Sequence, residues 1–179
     1  MNNTFKLDIC GYQTELPILP LPSGINIAFF NLHGASNLTE HCGKELSKLI
    51  GDAEVIITAE SKGLQLAHVV ARECNMEYYA VARKSKKLYM QDGISVKYGS
   101  SITTGKAQEL FLSKHDTDLI KGKKVAIVDD VISTGESLKG LEDLVTLAGG
   151  IIVKKLFVLA EGNAKDRTDV EFLATIPLL

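Results

Sequence analysis

Residues 125–138 read Val-Ala-Ile-Val-Asp-Asp-Val-Ile-Ser-Thr-Gly-Glu-Ser-Leu, and this run constrains the fold more than any other. Four apolar, mostly β-branched residues suit a buried strand. Asp129 and Asp130 follow at its C-terminal end. Ser133, Thr134 and Gly135 then open a helix that continues through Leu138, Leu141 and Leu144. Free backbone N–H groups and the helix dipole converge at such a turn, which suits a phosphate. Carboxylates repel phosphate, so Asp129 and Asp130 must face something else. Ionised carboxylates only accept hydrogen bonds, and sugar hydroxyls donate them. A phosphate on one side and a diol on the other describe a ribose 5-phosphate.

Two other readings compete. An apolar strand ending in acids also describes a Walker B magnesium site, which requires a Walker A loop elsewhere. The nearest candidate, residues 99–107, has five residues between Gly99 and Gly105 instead of four, and Ala107 where Ser or Thr is needed. The plainer alternative is a strand–turn–helix with solvated acids. The run resembles the phosphoribosyl pyrophosphate (PRPP) motif of the type I phosphoribosyltransferases: four hydrophobic residues, two acids and a short loop ending Thr-Gly. That resemblance implies that Asp129 and Asp130 hold the ribose and are catalytic. It also implies that Val131, Ile132, Ser133, Thr134, Gly135, Glu136 and Ser137 bind the 5-phosphate. Glu136 has no role in this picture, and its side chain is expected to face water.

Composition fits a compact enzyme. The 179 residues suffice for a single domain with a substantial core. A formal net charge of -2 gives no reason to expect nucleic acid or an anionic membrane as partner. No apolar stretch reaches the roughly 18 residues needed to span a bilayer. The first residues, Met-Asn-Asn-Thr-Phe-Lys, lack a signal-peptide pattern. Cys10, Cys42 and Cys74 are odd in number and form no Cys-x-x-Cys pair, so free thiols in a cytoplasmic protein are expected.

Strand and helix patterns alternate after an irregular start. Residues 5–9 and 12–16 predict a hairpin around Gly11, after which Pro17, Pro20 and Pro22 should prevent regular structure. Strands are expected at 25–30, 55–58, 78–82, 107–112 and 151–159. Helices are expected at 37–50, with Asn37 and Glu40 as a capping box, and at 63–74. Residues 83–105, rich in Lys, Ser, Thr and Gly, read mostly as a long mobile loop. This order suits an α/β fold built on a doubly wound parallel sheet, with ligands at the carboxyl ends of its strands. The resemblance adds a small variable hood, assigned to residues 1–35 and the tail from about 161, over a core of about 36–160.

Ala59-Glu60-Ser61-Lys62-Gly63 follows a strand and opens a helix, with small residues and one cation where an anion can approach. It resembles the family's pyrophosphate loop, which in adenine phosphoribosyltransferases reads acid-Ser-Arg-Gly. Lys62 replaces that Arg, keeping the charge but not the planar fork. Residues 83–89, Arg-Lys-Ser-Lys-Lys-Leu-Tyr, look like the start of the flexible loop of adenine and xanthine phosphoribosyltransferases. By this resemblance Arg83, Lys84 and Lys87 also serve the pyrophosphate. Gly105-Lys106-Ala107 matches a Gly-Lys-Ala that follows a Glu-Tyr pair in many adenine enzymes. Thr103 and Thr104 stand at that pair, which leaves the general acid unassigned.

The resemblance implies transfer of a phosphoribosyl group from PRPP to a purine base, with Mg²⁺ held through PRPP and not by a protein cage. Adenine is the first expectation for the base and a 6-oxopurine such as xanthine the second. Phe29 or Phe30 is the candidate to stack on it, against the plainer reading of strand aromatics as core. A homodimer is expected from the family. A non-catalytic, PRPP-sensing regulator is the alternative class; the absence of room for a DNA-binding domain and the slightly acidic charge favour an enzyme.

Overall fold

The apolar, β-branched runs at 55–58, 125–128 and 151–159 become the interior of one parallel sheet, because each is covered on both faces. A computed structural model of the chain describes residues 3–100 and 107–179. In chain order the described elements are β1 (Thr4–Ile9), β2 (Tyr12–Pro20), β3 (Asn26–Ala28), α1 (Ser36–Ser47), β4 (Val55–Ala59), α2 (Leu64–Glu73) and β5 (Ala80–Ala82). There follow β6 (Ile94–Ser100), β7 (Ala107–Leu112), α3 (Lys114–Ile120), β8 (Lys124–Ile132), α4 (Glu136–Leu147), β9 (Ile151–Glu161), a 3-10 turn (Gly162–Asp166) and β10 (Glu171–Ile176). The main sheet has the order β10-β9-β8-β4-β5 with every neighbouring pair parallel, as the alternating pattern predicts.

Alternation along β8 sends Val125 and Ile127 to one core and Ala126 and Val128 to the other. The first core is closed by Leu138, Leu141 and Leu144 of α4 and by Leu110 and Leu112 of β7. The second is closed by Cys42 and Leu46 of α1, Leu66 and Val70 of α2, and Leu7, Ile9 and Leu16 of the small antiparallel sheet β1-β2-β3. Asp129 and Asp130 therefore end the central strand between two filled layers.

Several expectations are corrected. β2 continues through Pro17 to Pro20: Pro17 lies where the β2–β3 ladder ends, and its carbonyl still accepts from Phe29 N at 2.9 Å. The capping box does not form. α1 starts at Ser36 without a side-chain cap, and Glu40 instead receives Arg72 Nη1 and Nη2 at 3.0 and 2.6 Å. The tail beyond Glu161 is only partly hood, since β10 forms an edge of the main sheet, while Leu178 bridges back to Ile27. Helix α3 went unread, although Ser113 caps it by accepting from Asp116 N at 3.1 Å.

The largest correction concerns 83–105. Residues 94–100 form β6, paired antiparallel with β7, and the Arg83 and Phe111 backbones exchange two hydrogen bonds at 2.9 and 2.8 Å. The alternation of Ile94, Val96 and Tyr98 places the apolar side chains inward, so the segment is a packed arm. Thr103, Thr104, Gly105 and Lys106 lie outside the described residues. The arm seats on α4 where a glycine leaves space: a Cβ at Gly140 would meet the Tyr98 ring at 2.8 and 3.0 Å and Leu110 Cδ1 at 3.1 Å. Gly140→Ala is therefore expected to destabilise the fold by about 1–3 kcal/mol through overpacking. Urea unfolding checks this, and an unchanged midpoint would mean that the arm moves aside without cost.

Candidate active site

The carboxyl end of β8 is the centre of the site. Asp130 is 7% exposed, and its Oδ2 has no hydrogen-bond partner among the described residues. Asp129 Oδ1 accepts from Asp130 N at 2.9 Å and lies directly over the start of α2. A Cβ at Gly63 would stand 2.8 Å from Asp129 Oδ1 and 2.1 Å from Thr58 Oγ1. Gly63 is thus required for close approach between the two strand ends. Two adjacent carboxylates at a desolvated strand end cannot both ionise freely. Burial and then the neighbouring Asp130 push Asp129 up to about 8, with Lys84 pulling the other way. Asp130 is also raised, by burial, against the pull of Lys62.

Around the pair opens a cleft of about 260 Å³, lined by Ala59, Glu60, Ser61, Lys62, Lys84, Tyr98, Asp129, Asp130, Val131 and Ser137. Four segments far apart in sequence supply it: the ends of β4, β5 and β8, which are consecutive in the sheet, and Tyr98 of β6. Beside it a smaller cavity of about 110 Å³ is lined by Asp129, Val131, Ile132, Ser133, Thr134, Gly135, Ser137, Leu138 and Phe157. Of the residues expected to hold the 5-phosphate it gathers all but Glu136, and Asp129, Val131 and Ser137 belong to both cavities. The Glu60–Ser61 peptide is cis.

Not every expected residue arrives. Arg83 is drawn to Glu60, its Nε 2.7 Å from Oε2 in an ion pair that is not aligned as a hydrogen bond. Glu60 Oε1 also accepts from Lys84 N at 2.6 Å, so this acid anchors the basic segment and only Lys84 lines the cleft. Lys87 does not line it and donates to Ser85 Oγ at 2.7 Å. Glu136 is exposed, as expected, with its carboxylate beside Gly99 at the end of β6. Phe30 is buried in the second core and is unavailable for stacking, whereas Phe29 is half-buried with Lys62 Nζ 5.0 Å from its ring centre.

Two contacts were not read from the sequence. Tyr98 lines the cleft and donates to Gln108 Oε1 at 2.8 Å; burial raises its pKa. The period-two pattern of 94–98 was the signal that would have placed it. His33 Nε2 lies 3.4 Å from Ser61 Oγ, and its Nδ1 lies 3.3 Å from Gln65 Nε2. No local pattern marks that contact.

The model of the phosphoribosyl transferase domain matches residues 31–172. The chain belongs to the type I phosphoribosyltransferases. Among its relatives, the xanthine phosphoribosyltransferase of Exiguobacterium sp. (strain ATCC BAA-1283 / AT1b) is 32% identical, covering 85% of this chain and 82% of that protein. The xanthine phosphoribosyltransferase of Bacillus thuringiensis (strain Al Hakam) is 33% identical, with 85% and 80% covered. In fold, the phosphoribosyltransferase resembles the adenine phosphoribosyltransferase of Thermoanaerobacter pseudethanolicus with a TM-score of 0.71 at 21% identity, covering 89% and 95% of the two chains. The Giardia lamblia enzyme complexed with 9-deazaadenine gives 0.70 at 19% identity, with 89% and 93% covered.

The raised Asp129 has a consequence for stability. Unfolded, this carboxyl loses its proton near its ordinary value of 3.8, but folded it keeps the proton to about 8. Stability therefore falls as pH rises across that window. Asp129→Asn, neutral throughout, is expected to gain melting temperature relative to the unmodified chain between about pH 5 and about pH 8. A difference that does not change with pH would show an acid pair already ionised.

Proposed function

We propose that the protein is a purine phosphoribosyltransferase, moving the phosphoribosyl group of PRPP to a purine base with release of pyrophosphate. The observation that carries this reading is the single cleft joining the acid pair to Lys62 and Lys84 and adjoining the 133–137 cradle through Ser137. In this reading the cradle holds the 5-phosphate and the acid pair accepts from the ribose hydroxyls. Lys62 and Lys84 neutralise the departing pyrophosphate. Cleavage of the bond from C1 to pyrophosphate leaves an oxocarbenium-like ribosyl cation, which a purine nitrogen attacks with loss of its proton. The carboxylates, once ionised, face that cation with the complementary charge.

Magnesium fits the residues present. Asp130 Oδ2 is a buried oxygen without a partner, and carboxylate oxygens suit a hard cation. Among the described residues no three His, Cys, Asp or Glu side chains gather into a cage, so ligands from PRPP and water would complete the shell. When bound, the ion supplies charge neutralisation on the pyrophosphate oxygens.

The base divides the supporting observations. The loop at 59–63 favours adenine, the segment at 83–89 is common to adenine and xanthine enzymes, and relatives at 32–33% identity are named for xanthine. Kinship over most of the chain outweighs one short motif, so a 6-oxopurine moves to first place and adenine to second. Incubation with PRPP, Mg²⁺ and a panel of bases tests the proposal: pyrophosphate release with one base supports it and names the substrate. PRPP binding without turnover on any base would favour a PRPP-sensing regulator.

Asp130→Asn should weaken PRPP binding by about 1.5–3 kcal/mol, the range for a charge-assisted hydrogen bond. Unchanged affinity, measured by titration calorimetry, would remove the ribose assignment. The protein acts in this reading as a cytoplasmic homodimer, two-fold pairing being the commonest assembly. Sedimentation showing only monomer at micromolar concentration would contradict the dimer.

A further inference from the structure

The phosphate cradle, residues 133–137, contains no cation of its own, and its one charged side chain, Glu136, is acidic. A phosphate seated there would meet backbone N–H groups and hydroxyls only. The tail, outside the PRPP motif, brings a cation to it. Arg167 directly follows the 3-10 turn after β9. Asp169 takes two of its three nitrogens, Nε at 2.9 Å and Nη2 at 2.7 Å, in a planar fork. Asp169 is held in turn by Lys155 of β9 at 3.1 Å, and Lys155 by Glu142 of α4 at 2.5 Å. The Arg167 and Lys155 partners draw the Asp169 carboxyl down to about 2, so it stays ionised in ordinary buffers.

This chain of ion pairs fixes the guanidinium plane and leaves Nη1 over. No acceptor engages Nη1 among the described residues. It lies beside Gly135, the residue in left-handed conformation (φ +85°) at the N-terminus of α4, where a Cβ would stand 2.7 Å from it. Gly135 itself lines the cradle cavity, so the guanidinium stands at the edge of that cavity, and a side chain at this position would collide with it. Holding a cation with one edge satisfied and the other directed at an anion site is how arginine recognises phosphate.

We propose that Arg167 is a binding residue for the 5-phosphate of PRPP and of the nucleotide product, with Asp169 as the positioning residue that orients it. The assignment rests on the functional reading above and adds a tail residue to the cradle. It distinguishes the two anion sites: Lys62 and Lys84 serve the pyrophosphate, and Arg167 serves the phosphate that stays on the sugar.

Calorimetric titration of the full chain with ribose 5-phosphate and, separately, with pyrophosphate tests it. Arg167→Gln is expected to weaken ribose 5-phosphate by about tenfold or more while pyrophosphate changes by less than about twofold. Arg167→Lys should restore part of the loss, since charge returns without the fork. Asp169→Asn should weaken ribose 5-phosphate to an intermediate degree, by freeing the guanidinium to turn away. Should Arg167→Gln fail to fold, the Lys and Asn variants carry the same comparison between the two ligands. Unchanged ribose 5-phosphate affinity in the folded variants, or equal loss of both ligands, overturns the assignment of Arg167 alone. Failure of the unmodified chain to bind PRPP or either probe overturns the functional reading and this one with it.

Discussion

Two carboxylates side by side at the end of a buried strand repel each other and lose solvation, and the rest of the site is arranged around that cost. Burying either ion without a partner is unfavourable, so one proton is held at the pair until something positive or hydrogen-bonding arrives. The parallel sheet supplies the frame. Because β8, β4 and β5 are consecutive in the sheet, the loops after all three strands open at the same edge and place Lys62 and Lys84 near Asp130 and Asp129. Gly63 lets the acid pair approach α2 closely.

Charge is apportioned within the basic segment by Glu60. Four cations, Arg83, Lys84, Lys86 and Lys87, occur within five residues, yet only Lys84 enters the cleft with the acid pair. Glu60 neutralises Arg83 and fixes the Lys84 backbone, so the arginine acts as a buttress between two loops. A loop with four free cations would repel itself and the neighbouring Lys62. Pairing the first of them leaves Lys84 to line the cleft together with Lys62 from the neighbouring loop.

What could be read in advance followed physical range. The parallel sheet, the two strand-to-helix turns and the acid pair at a strand end were legible because each is a local pattern: an apolar run, a turn of small residues, or adjacent acids. The arm at 94–100 was misread because its polar composition outweighed a correct period-two signal, and its burial depends on Gly140, far along the chain. The pairing of Arg83 with Glu60 was not legible because the partner lies 23 positions away, across a strand pairing that local sequence does not reveal. Phe29 and Phe30 alternate as strand residues should, and only the cover provided by the small sheet decides which one is buried.

The loop at residues 60–62 is held from two sides. On the hood side Phe29 lies under the Lys62 ammonium and His33 reaches Ser61 and Gln65. On the sheet side Glu60 N donates to Ala82 O at 3.0 Å while its carboxylate grips the residues after β5. A loop restrained at each of three consecutive residues loses little freedom when an anion binds, so more of the interaction is available as affinity. The same restraint links the hood to the reaction centre. A substitution at Phe29 or His33 removes a contact to Lys62 or Ser61 directly.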